Sequence, residues 1–103
     1  MPRFDVYAHP DSALRRVTPF LLDVQNQHIQ LATRVVIPLR AASAFPMRMR
    51  DLNPVFSIGG KEVVADTAAL AAFPSSELKK PVATLRAQSG EVTAALDSLF
   101  GAY

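Results

Sequence analysis

Pro54-Val55-Phe56-Ser57-Ile58-Gly59-Gly60-Lys61-Glu62-Val63-Val64-Ala65 is the stretch that decides the fold. Two runs of β-branched and bulky residues flank a pair of glycines. A type I′ turn needs positive φ at both central residues, which Gly adopts without steric cost. The reading is a β-hairpin with Gly59 and Gly60 at its tip. Working outward, Phe4-Asp5-Val6-Tyr7 alternates as a half-buried strand does. Phe20 to Val24 and Val35-Val36-Ile37 are further β-prone runs bordered by Pro or polar residues. Eight prolines, at positions 2, 10, 19, 38, 46, 54, 74 and 81, cut the chain into pieces too short for long helices. Residues 82–103 are free of Pro. There Val92, Ala95, Leu96, Leu99 and Tyr103 recur at the spacing of one helical face. Ser89 is the expected N-cap, with Glu91 in the first turn, and an earlier start near Thr84 is open. Gly101 is the expected stop. The sequence therefore predicts one domain over residues 1–103, mainly β with antiparallel strands and a C-terminal helix.

Composition narrows the function. Half of the 103 residues are apolar, but sixteen are Ala, so the large core formers are few. A small core of that kind gains from a homodimer contact. Charged residues make up 19 %, below the level of disordered chains. With no Cys, a disulfide framework, a thiol nucleophile and Cys-based zinc sites are excluded. The longest apolar run, Ala68 to Phe73, is far too short to span a membrane. Charged residues occupy the place of a secretory h-region, so a cytoplasmic, soluble protein is expected. The net charge of +2 announces no nucleic-acid binder. Arg34, Arg40, Arg48 and Arg50 follow one another with no acid before Asp51, a run that suits the solvated side of a loop or a phosphate contact.

Catalytic signals are sparse. His9 and His28 have no partner at metal-ligand spacing, and Gly59-Gly60 lacks the Lys and helix of a phosphate loop. No Ser, His and acid residues are grouped. The reading is a protein without enzymatic activity, metal or cofactor. The chain's end is more informative. Leu99, Phe100 and Tyr103 crowd positions where chains normally turn polar, which fits docking onto the sheet, onto a second subunit or onto a partner protein.

These residues together resemble the CcdB family of toxin–antitoxin toxins. The matching blocks are Phe4-Asp5-Val6-Tyr7, Leu22-Asp23-Val24-Gln25, Arg34-Val35-Val36-Ile37-Pro38-Leu39, Asn53-Pro54-Val55-Phe56-Ser57-Ile58-Gly59 and Val82-Ala83-Thr84-Leu85. The resemblance implies a homodimeric SH3-like small barrel with a C-terminal helix. It implies binding to the A subunit of DNA gyrase, trapping of the enzyme on cleaved DNA, and neutralisation by a CcdA-like antitoxin. Operator DNA would be reached only through that antitoxin, as co-repressor. Carried over residue by residue, the gyrase-facing surface is the loop at Asn26 and His28, Asp97 on the helix, and Phe100, Gly101, Ala102 and Tyr103.

The chain departs from the family at its end. The family usually closes with Phe-Trp-Gly-Ile, whereas Gly101-Ala102-Tyr103 follows Phe100 here. His28 stands where the family often has an aliphatic residue. Two alternatives are therefore kept: a homologue that binds antitoxin without poisoning gyrase, and a MazF-like endoribonuclease drawing on Thr33, Arg34 and Arg40.

Overall fold

The computed structural model describes residues 1–101. Seven strands form one antiparallel sheet: β1 (Asp5–Ala8), β2 (Phe20–Asp23), β3 (Thr33–Ala41), β4 (Val55–Ile58), β5 (Lys61–Ala65), β6 (Ala71–Pro74) and β7 (Ala83–Thr84). The sheet order is β4-β5-β3-β2-β1-β7, with β6 also on β3. It curls into a nearly closed barrel, and a single helix, α1 (Ser89–Phe100), follows at the C-terminal end.

The hairpin forms as the glycines demand. Gly59 and Gly60 have φ of 55° and 82°, and Ile58 faces Lys61 across the turn. Phe56, Ile58, Val63 and Ala65 point inward, joining Val6, Leu22, Ile37 and Leu39 in the main core. Leu85 and Val92 extend that core to the helix, so α1 is held by the same apolar burial that closes the barrel. A second cluster lies on the other face of β1, β2 and β3, where Tyr7, Leu21, Val36 and Leu78 pack with Phe73.

Strand β3 organises the sheet. One edge pairs with β2, while the other pairs with β6 over Thr33 to Val36 and with β5 over Leu39 to Ala41. Pro38 lies inside this strand instead of ending it, as its border position in the sequence had suggested. It sits where that second edge passes from β6 to β5, so its missing N–H interrupts no ladder. Its carbonyl still accepts from Asp66 N at 2.9 Å.

The helix begins at Ser89 itself, so its cap falls one position before the expected one. Gln88 is the N-cap, without a side-chain hydrogen bond, and Ser89 is already helical. A short 3-10 turn at Arg86–Gln88 leads into it, and Ala83–Thr84 pairs with β1, which rules out the earlier start. Gly101 ends the helix as expected, with φ of 67° and its N–H donating to Asp97 O at 2.8 Å.

Candidate partner-binding surface

The segment between β2 and β3 is built from local turns. Asn26 Oδ1 accepts from His28 N at 2.9 Å, and Asn26 O accepts from Ile29 N at 3.1 Å. An Asx turn of this kind folds the backbone without a strand partner. Asn26 and His28 are exposed on it, followed by Ile29 and Leu31, which are 45 % and 61 % exposed. The loop's base is tied inward. Gln25 N donates to Asp23 Oδ1, and Gln25 Oε1 accepts from Val35 N, while Gln25 Nε2 is buried without a partner.

The N-terminal residues clamp the same loop. Arg3 Nε donates to Val24 O at 2.9 Å, and Arg3 N to Gln27 Oε1 at 3.4 Å. The Arg3 guanidinium lies 4.7 Å from the centre of the Phe4 ring. Phe4 has φ of 74°, a left-handed conformation that strains a side chain of its size. Two backbone bonds hold it there: its N–H to Asp23 O, and Leu85 N to its carbonyl.

The second expected patch is the end of α1. Asp97 is half-buried and Phe100 is 69 % exposed. Gly101 turns the chain in a left-handed step that an aromatic residue would rarely take. Ala102 and Tyr103 lie outside the described residues. Among the described residues, no hydrogen bond or ion pair joins Asn26 or His28 to Asp97 or Phe100 within one chain.

Two features here escaped the sequence reading. Met47 and Met49 are 88 % and 66 % exposed. Beside them, a cleft of about 440 Å³ runs between Met49–Leu52 and Ser98 and Leu99 of α1. A neighbouring one of about 350 Å³ places Arg48 and Arg50 across from Glu91 and Ala94. The alternation Arg48-Met49-Arg50 between two prolines was the available signal.

The basic run does not form one patch. Arg34 is buried, with Nε and Nη2 on the two carboxylate oxygens of Asp23. Arg40 donates to Asp66 Oδ2 and to Thr18 Oγ1. Arg48 bonds to the carbonyl of Asn53. An Arg that is 3 % exposed cannot meet the phosphate of an RNA, so the MazF-like reading loses its central residue. His9 is buried as well. Its ring meets Phe73 edge-on at 5.8 Å, and Nδ1 accepts from Asp11 N at 3.0 Å. Burial holds its pKa below the ordinary histidine value, while burial and the carboxylates of Asp5 and Asp23 raise that of Tyr7. Among the described residues no group of three His, Asp or Glu could hold a metal ion, and no helix is long and apolar enough to cross a membrane.

Together these features define a class: a small antiparallel β-barrel with a C-terminal helix on its core and exposed apolar side chains on its loops and helix end. Residues 3–101 match the family model described as CcdB protein, so the chain belongs to the CcdB family, the toxins of toxin–antitoxin modules. No curated protein matches it.

Proposed function

We propose that this chain is a toxin that binds and poisons DNA gyrase through its A subunit and is neutralised by a CcdA-like antitoxin, with which it co-represses its operon. The observation that carries the reading is the family match over residues 3–101. The exposed turn at Asn26 and His28 and the exposed Phe100 support it, because a partner protein is recognised by apolar and aromatic side chains set in a polar rim. The toxin acts as a cytoplasmic homodimer. Asp97, Phe100, Gly101, Ala102 and Tyr103 complete the surface from the helix side. Its effect needs no bond made or broken by its own residues; tight association with gyrase at its cleaved-DNA stage is sufficient.

One observation favours a second reading, a homologue that keeps antitoxin binding without poisoning gyrase. Gly101 offers no ring after Phe100, and a lost aromatic anchor costs about 2–4 kcal/mol at an interface. Induced expression in cells tests both. The first reading gives growth arrest with an SOS response, relieved by co-expressed antitoxin. The second gives normal growth and antitoxin binding in a pull-down.

A further inference from the structure

Arg34 lies beneath the 25–32 loop and touches several of its parts at once. Besides the two oxygens of Asp23, at 2.9 and 3.0 Å, Nη2 donates to Gln25 O at 3.1 Å and to Met1 O at 3.2 Å. Nη1 reaches Ile29 O at 3.4 Å. Asp23 and Gln25 form the base of the loop, and Ile29 lies past its turn. No strand pairing holds residues 25–32. A planar guanidinium offers five donors in a fixed fork, so one Arg can satisfy carbonyls on both sides of a loop. A Lys ammonium could match the charge of Asp23 but not that spread.

We propose that Arg34 is the positioning residue of the loop that presents Asn26, His28 and Ile29. It is too buried to touch a partner and acts by fixing the loop's shape in advance. A loop ordered beforehand loses less conformational freedom on association, so loosening it weakens binding without removing any contacting atom. The functional half of this inference rests on the proposed gyrase-binding role. The structural half does not.

Two variants test it. Arg34→Lys keeps the positive charge and loses the fork. Asp23→Leu/Arg34→Met removes both charges together, a replacement that is often neutral for folding. Backbone NMR order parameters are recorded for both, beside inhibition of gyrase supercoiling. In the wild type, residues 26–31 are expected near 0.85, falling below about 0.6 in both variants while β2 and β3 keep their values. Inhibition is expected to weaken on the order of 10-fold. Unchanged loop order in both variants overturns the proposal. So does loss of order in loop and sheet together, which would make Arg34 a general stabiliser. A looser loop with wild-type inhibition overturns it too. If the wild type does not inhibit gyrase, the gyrase reading fails, and the order parameters alone decide whether Arg34 positions the loop.

Discussion

Asp23 and Arg34 form a two-pronged ion pair in which neither side chain is more than 3 % exposed. Both carboxylate oxygens are held by one guanidinium, whose Nη2 also faces the carbonyls of Gln25 and Met1, which share its second hydrogen, while Nη1 reaches Ile29 O. Desolvating two charges costs several kcal/mol each, and close pairing of both carboxylate oxygens with further carbonyl acceptors offsets it.

Removing one partner alone is therefore severe. Arg34→Ala leaves the Asp23 carboxylate buried and uncompensated, and should lower stability by about 3–5 kcal/mol. Urea denaturation followed by circular dichroism checks this. A loss below about 1 kcal/mol would mean that water or Arg3 replaces the pairing.

Acidification should destabilise the protein through His9. Burial lowers its folded-state pKa; Arg15 and Arg40 act in the same direction, and the Asp11 carboxylate opposes them. The unfolded chain then takes up the proton more readily than the folded one. The contribution is fully present above the ordinary value of 6.5 and is lost as pH falls below it, towards the folded pKa. The urea midpoint should drop between about pH 7.5 and about pH 5.5, and His9→Gln should reduce that drop. An equal drop in the variant would assign the effect to other groups.

A dimer is expected in solution. Met47, Met49 and Phe100 are the most exposed large apolar side chains among the described residues, and a second copy that covered them would add the burial a small core lacks. Sedimentation at micromolar concentration should give about twice the 11.2 kDa of one chain. A monomer would contradict it.

What was legible in the sequence followed from local chemistry. The Gly59-Gly60 turn, the β1 alternation and the Gly101 stop each depend on a backbone preference that neighbouring residues express unaided. Strand β6 did not show. Ala71-Ala72-Phe73 has no alternation, and it becomes a strand because the free edge of β3 pairs with it. Pro38 misled as a boundary, since only the sheet order reveals that its missing N–H faces a gap. The site divides in the same way. Asn26 and His28 were carried over from the family resemblance, outside its matching blocks, and sit on an exposed turn, whereas Met47 and Met49 alternate with arginines in a segment that forms no strand. Arg34 looked like one of four solvated arginines; its burial depends on Asp23, eleven positions away and on another strand.

Relaxation and supercoiling assays with purified gyrase test the central claim most directly. Wild-type protein should inhibit supercoiling and trap cleaved DNA. Phe100→Ala should keep its fold, because the side chain is mostly exposed, and weaken inhibition on the order of 30- to 1,000-fold. Tyr103→Ala should do the same if the chain's end supplies the missing aromatic anchor. No inhibition or cleavage by the wild type, at concentrations where it binds antitoxin, would contradict the gyrase-poison account.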